Sequence, residues 1–270
     1  MTIISTWPYA NPDSAGLPVF DLPTAGERAI FENPAVLRWW RADSGVSADG
    51  WRCRKTGDAG VLVPERDGMP ARMKLAAYSG RDALVFSATS QLWDDGKNLF
   101  PTGGPFSLVV VGRAGPNDAA YLVGAATDGN TAITMMTHQS QVAANGRTIF
   151  NVNSAGIVAG NNLTSTSTHY YADGPMLMIG SHDPGGAVKM GLRIDGGTGD
   201  NLTGSPANAG FPNPHAQMHV GGVNAFGAAI SGALDGGDIA EILLLSVALH
   251  VDTSLRTNIE TLMRARYGLW

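Results

Sequence analysis

GDIAEILLLSVALHVDTSLRTNIETLMRARYGL, residues 237–269, is the stretch on which the fold turns. Ile239, Ile242, Leu243, Leu244 and Leu245 form a dense apolar run, with Gly236 and Gly237 before it and polar residues after it. Such a run reads as a strand buried on both faces or nearly so. Asp252 or Thr253 then caps a helix in which Leu255, Ile259, Leu262 and Met263 fall at i, i+4, i+7 and i+8, and Gly268 ends it. A one-sided helix this short needs a sheet to pack on.

Outward from that stretch, glycine and proline punctuate the chain at intervals of roughly ten residues, the spacing of many short strands joined by turns. The 270 residues include 35 Gly and 15 Pro. Strands are expected at 36–40, 60–63, 73–78, 83–87, 106–111, 121–126, 132–137, 148–152, 176–180, 188–194, 218–221 and 239–245. The gaps between them lack the helices that parallel crossovers require, which leaves an all-β antiparallel sandwich with jelly-roll or Greek-key connections. Residues 1–34 differ from the rest. Pro8, Pro12, Pro18, Pro23 and Pro34 stud a segment without periodicity, expected to be an extended arm on a sandwich at 35–270. Its expected anchors, buried on the chain's own domain or on a neighbouring subunit, are Trp7, Tyr9, Leu17, Val19, Phe20 and Leu22.

A net charge of −5 and a pI near 5.6 argue against a nucleic-acid surface, which needs clustered Lys and Arg. No run reaches the ~18 apolar residues of a membrane span. The single Cys53 rules out an internal disulfide and leaves the redox compartment open. The start MTIISTWPYANPDSAG lacks the pattern of a secretory signal, so work outside a cell would need another route of delivery, such as packaging in a virus particle followed by lysis.

Several stretches resemble the concanavalin A-like (laminin-G-like) jelly-roll domains. The tail at 237–269 resembles their closing strand and helix, and LRWWRADSGVSADGWRCRKTGDAG (37–60) their opening. GRDALVFSA (80–88), PFSLVVVGRA (105–114) and MHVGG (218–222) follow in the order that family shows. The resemblance implies the sandwich and is nearly silent on function. Family members in phage particles and the lack of a catalytic signature lead to an expected function. It is a non-enzymatic structural or accessory virion protein (capsid decoration, fibre, tail or baseplate part), assembled in the host cytoplasm. Its partners would be other virion proteins, further copies of itself and host surface glycans. The alternative is a soluble lectin-like glycan-binding module, and a polysaccharide-degrading enzyme ranks below both.

Hydrolases of the family set carboxylates on one strand face with the pattern E-x-D-x-x-E. The nearest approach is Asp235, Asp238 and Glu241, and the odd spacing of the last two puts them on opposite sides of a regular strand. Lyase-type residues occur without a motif, as His138, Gln139 and Gln141 and as Tyr170 and Tyr171. The six histidines are scattered, and His215 with His219 lack a third zinc ligand. No cofactor is expected beyond calcium, for which Asp195, Asp200 and Asn201 form the best loop cluster and Asp94, Asp95 and Asn98 the next; Gly/Asp turn chemistry accounts for both loops as well. For a glycan, the stacking candidates are Trp93, Tyr170 and Tyr171, with Asp95 and Asn98 to reach hydroxyls. Trp39, Trp40 and Trp51 read as core.

Overall fold

The computed structural model describes residues 24–65, 68–97, 99, 101, 104–116, 119–126, 133–139, 146–153, 162–205, 217–222 and 233–270, with backbone alone at 119, 126, 133–139 and 153. Helix α1 spans Ala25–Glu32 and α2 spans Thr253–Tyr267. The strands are β1 (Val36–Arg41), β2 (Val46–Ser47), β3 (Gly50–Cys53), β4 (Gly57–Pro64), β5 (Ala71–Leu75), β6 (Arg81–Val85), β7 (Leu92–Trp93), β8 (Phe106–Arg113) and β9 (Ala119–Ala126). They continue with β10 (Ile133–Gln139), β11 (Arg147–Asn153), β12 (Asn162–Thr164), β13 (Met176–His182), β14 (Met190–Ile194), β15 (Asp200–Gly204), β16 (Gln217–Val220) and β17 (Asp238–Leu245).

Among the described residues these strands make two antiparallel sheets. The eight-stranded sheet runs β15-β14-β13-β8-β17-β6-β5, and β1 also pairs with β17. β6 and β1 take successive stretches of one edge of β17: β6 holds Asp238 and Ile239, and β1 holds Glu241 to Leu245. The nine-stranded sheet runs β12-β11-β10-β9-β16-β7-β4-β3-β2. Alternating residues of both sheets fill the space between them, among them Trp40, Trp51, Leu62, Phe106, Val110, Phe150, Met218, Ile242 and Leu244. This is the expected antiparallel sandwich.

The sheets approach closely where Gly180 of β13 meets Phe150 of β11. A Cβ at Gly180 would lie 2.2 Å from a carbon of the Phe150 ring. Phe150 in turn meets the ring of Phe106 edge-on, with 6.3 Å between centroids.

α2 covers the outer face of the eight-stranded sheet as its pattern foretells. Leu255, Ile259, Met263 and Tyr267 pack on Val109, Val111, Leu177, Ile179, Leu243 and Leu245. Burying each large apolar side chain is worth roughly 1.5–3 kcal/mol. Asp252 caps the helix by accepting from Leu255 N at 3.0 Å, and Gly268 closes it at φ 65°, a conformation that suits glycine. β17 is therefore buried on both faces, including Glu241 at 0% exposure.

An ion network lies under α2. Arg266 Nη1 is 2.7 and 2.8 Å from the two Glu241 oxygens, Tyr267 donates its hydroxyl to Glu241 at 2.5 Å, and the Trp39 indole N–H also donates to Glu241. Arg266 Nη2 reaches Glu27 of α1 at 2.7 Å, and Glu27 also binds Arg41 at 2.8 Å and Arg54 at 2.7 Å. Burial works to raise the Glu27 pKa, but Arg266, Arg54 and Arg41 together outweigh it and hold the carboxyl below its usual range.

Four expectations need correction. The segment 1–34 is not extended throughout, because residues 25–32 form α1, capped by Thr24 Oγ1 accepting from Glu27 N at 3.1 Å. The expected anchors Trp7, Tyr9, Leu17, Val19, Phe20 and Leu22 lie outside the described residues. The strand expected at 73–78 stops at Leu75 and yields to a 3-10 turn at Ala76–Tyr78. The strand expected from 188 begins at Met190. Finally, Asp238 and Glu241 share one face. The register against β8 slips between Ile239 and Glu241, so Asp238 pairs with Arg113 and Glu241 with Val111, two residues on the same side of β8. A bulge of this kind inserts one residue and reverses the facing that regular alternation implies.

Candidate functional site

The outer face of the nine-stranded sheet carries no helix among the described residues, and one register row crosses it. Asn162 pairs with Asn151, Asn151 with Met135, Met135 with Gly124, Gly124 with His219, His219 with Trp93 and Trp93 with Val63. The chain neighbours Leu62, Leu92, Phe150, Val152, Met218 and Val220 point into the sandwich core, so Val63, Trp93, Asn151 and His219 of this row face away from it. Asn162 is exposed, Trp93 and Val63 are partly exposed, and Asn151 and His219 are buried.

Trp93 is the best-built feature of that row. Its indole stacks on the His219 imidazole with 6.5 Å between centroids and 27° between planes. His219 Nδ1 stands 3.2 Å from Glu65 Oε2, which fixes the imidazole from the side opposite β9. The sequence places Trp93 here by local means. β7 has only two residues, Leu92 inward and Trp93 outward, and a turn with Asp95 at φ 49° and Gly96 at φ 73° ends it. Asp94 closes that turn by accepting from Leu99 N at 2.9 Å and from Met218 N at 3.0 Å, which ties β7 to β16. Asp95 and Lys97 are exposed beside the indole-bearing strand, and Asn98 lies outside the described residues.

The tyrosines belong to a different place. Tyr171 lies under the Arg113 guanidinium, 3.9 Å from the ring centroid, and its carbonyl accepts from Arg113 at 3.0 Å. Tyr170 N donates to Asp173 Oδ2 at 2.7 Å in the same turn. This turn leads from β12 toward β13, whereas β7 is five strand positions from β12, roughly 24 Å at the usual spacing. Trp93 and the tyrosine pair therefore do not form one site.

Asp195, Asp200 and Asn201 are near in sequence, but their side chains serve separate tasks. Asp195 Oδ1 accepts from Leu177 N at 2.8 Å; burial raises its pKa against the opposing pull of that N–H and of His169. Asp200 accepts from Thr166 Oγ1 at 2.6 Å and Ser167 N at 2.8 Å, while Asn201 is exposed. Both carboxylates hold neighbouring turns together. No group of three His, Cys, Asp or Glu able to hold a metal ion occurs among the described residues. Of the lyase-type residues, His138 and Gln139 lie on β10, where only the backbone is described, and Gln141 lies outside the described residues, as does His215.

Asp238 and Glu241, brought to one face by the bulge, are buried at 1% and 0% exposure. Asp238 accepts from the Tyr78 hydroxyl and from Arg113 Nε at 3.0 Å. Burial raises its pKa more than Tyr78 and Arg113 lower it. A cleft of about 390 Å³ between α1 and α2 opens near this layer, but its Arg41 and Arg266 are already committed to carboxylates. This layer is built to hold α1 and α2 on the sheet.

The feature that sequence reading missed is His219 as the backing of Trp93. Alternation in QMHV, with Met218 and Val220 apolar, could have marked it as facing outward.

No protein-family model matches the chain, and no curated protein matches it. Solved structures do. A sialidase of Trypanosoma rangeli in complex with a difluoro-KDN matches 86% of this chain with a TM-score of 0.54 and 11% identity. The same sialidase with the inhibitor DANA matches 84% with a TM-score of 0.53 and 12% identity. The CBM40 of a Ruminococcus gnavus sialidase, bound to α2,3-sialyllactose, matches 58% of this chain and 83% of its own, with a TM-score of 0.44 and 12% identity. The chain spans about a third of the length of the T. rangeli structures, 32% in each case. At this identity the likeness shows the fold alone: an all-β, jelly-roll-like sandwich. The expected non-enzymatic phage virion protein is corrected by these neighbours, which are structures of a glycan-directed enzyme and give a particle component no support.

Proposed function

We propose that this sandwich is a glycan-binding module whose contact surface is the sheet face bearing Trp93. The observation that carries the reading is Trp93 itself: a partly exposed indole, backed by a buried imidazole that a carboxylate holds in place. Such a fixed aromatic plane suits the C–H face of a pyranose, and few rotamers are lost when it is occupied. Exposed Asp95, beside the indole-bearing strand, supplies a carboxylate that sugar hydroxyls can donate to. The sandwich shared with a portion of a sialidase fits this reading. Binding of the full chain to a glycan array, lost in Trp93→Ala while the circular dichroism spectrum is kept, supports it. An array without a hit, or hits indifferent to Trp93→Ala, refutes it.

A further inference from the structure

We propose that the cleft between α1 and α2 binds a small organic carboxylate with a short apolar body. The cleft measures about 390 Å³, within the ~300–1,000 Å³ of small-molecule sites. It exists because the residues that face each other across it are small. Ala29 of α1 and Ala265 of α2 line it, and a Cβ at Gly26 would meet nothing nearer than Thr24 Oγ1 at 4.0 Å. Leu262 adds an apolar wall. Ala29 and Ala265 are exposed, so a ligand can enter from solvent. The cleft lies on the outer side of the eight-stranded sheet and Trp93 on the other sheet, so the proposal stands apart from the glycan-binding reading.

Three guanidiniums line the cleft, Arg41, Arg81 and Arg266, beside a single carboxylate, Glu27. Both Glu27 oxygens are taken: Oε1 accepts from Arg41 and Arg54, and Oε2 faces Arg266 Nη2 at 2.7 Å. Burial pushes the Glu27 pKa up, yet Arg266, Arg54 and Arg41 hold it below its usual range, so the potential they set up there is positive. Their ion pairs do not use up their donors, because a guanidinium has five N–H groups. Arg41 gives Nε to Asp43 and Nη1 to Glu27, and its Nη2 has no partner among the described residues. Arg266 gives Nη1 to Glu241 and Nη2 to Glu27, which leaves Nε. An incoming carboxylate therefore meets unspent cationic N–H donors, and the one carboxylate of the lining is already neutralised by three cations. The apolar body of the ligand then lies on Leu262 and Ala265, and the ligand bridges the two helices.

The test titrates the full chain with hexanoate and with phenylacetate, each beside its neutral amide, and follows the backbone amide NMR signals of α1 and α2. The acids should bind at least ~10-fold more tightly than the amides, with the largest shifts around Ala29 and Ala265. Added salt should narrow that gap. Ala265→Trp, a change at an exposed position, should fill the cleft and weaken binding of the acids by ~10-fold or more while the circular dichroism spectrum is kept. Arg41→Lys keeps the charge but removes Nη2, and should reduce the preference for the acid over the amide. Trp93→Ala should leave the binding of both unchanged. No binding of either acid, equal binding of the amides, or shifts indifferent to Ala265→Trp would overturn the proposal.

Discussion

Arg266 of α2 holds both oxygens of Glu241 on β17 with a single nitrogen, at 2.7 and 2.8 Å, and this pair pins the C-terminal helix to the central strand. Glu241 is fully buried, so removing either partner leaves a charge in the interior. Glu241→Ala or Arg266→Ala is expected to cost about 3–5 kcal/mol, on the order of a 10 °C fall in Tm for a chain of this size. The double variant Glu241→Ala with Arg266→Ala should cost clearly less than the sum of the single changes, because neither partner is left in the interior without the other. Thermal denaturation of the four proteins checks this, and additive losses would mean that the two residues do not act as a pair.

Two carboxyls give stability opposite dependences on pH. The folded pKa of Glu27 is lowered from 4.5, so its contribution is complete above that value and is lost as pH falls through the folded pKa. The folded pKa of Asp238 is raised from 3.8, so its contribution is complete below 3.8 and is lost as pH rises through the raised value. Urea denaturation across the acidic range should therefore show Glu27→Gln flattening the low-pH decline. Asp238→Asn should remove a loss on the higher-pH side. The reverse assignment would show that the arginines do not govern Glu27.

The contact of Gly180 with Phe150 leaves no room for a methyl group. Gly180→Ala should destabilise by about 1–3 kcal/mol, as overpacking does in a filled core. Adding Phe150→Leu should return part of that loss, although the same change alone in the wild-type background is destabilising. Equal costs with and without Phe150 would place the strain elsewhere.

In the proposed glycan site His219 works through Trp93, which it backs. His219→Ala should leave most of the fold intact, loosen the indole and weaken glycan binding by a smaller factor than Trp93→Ala, which is expected to remove about 2 kcal/mol or more. His219→Phe, which keeps a flat backing ring, should restore part of the binding. Calorimetric titration with the best array hit measures all three variants.

The fold was legible wherever one physical signal acted alone. The residues of β17 and α2 announced themselves because an unbroken apolar run and a capped 3.6-residue period have few other readings. Trp39, Trp40 and Trp51 lie in the core as their strand context implied. α1 escaped notice among the prolines, although Thr24 with Glu27 three residues on is a capping-box spacing. The short strands β2, β7 and β12 carry too few residues for a period to show, and register alone defines them. The shared face of Asp238 and Glu241 was hidden because a bulge depends on what β8 presents across the ladder. Trp93 could be nominated as a stacking residue from its neighbours in sequence. Its support by His219 and Glu65 joins β7, β16 and β4, and only the folded sheet brings those three together.

β17 also sets the order in which this protein can be completed. It is bonded to β8 on one side and to β6 and β1 on the other, yet in the chain it follows β1 by about two hundred residues. During synthesis the apolar edge of β8 and the inward face of β1 wait for a partner that is made about two hundred residues after β1. Pairings so distant in sequence are slow to form and leave sticky intermediates. A nascent or truncated chain lacking β17 therefore has no central strand around which the eight-stranded sheet can close, and its recovery in soluble form should depend on chaperones that shield β8 until then.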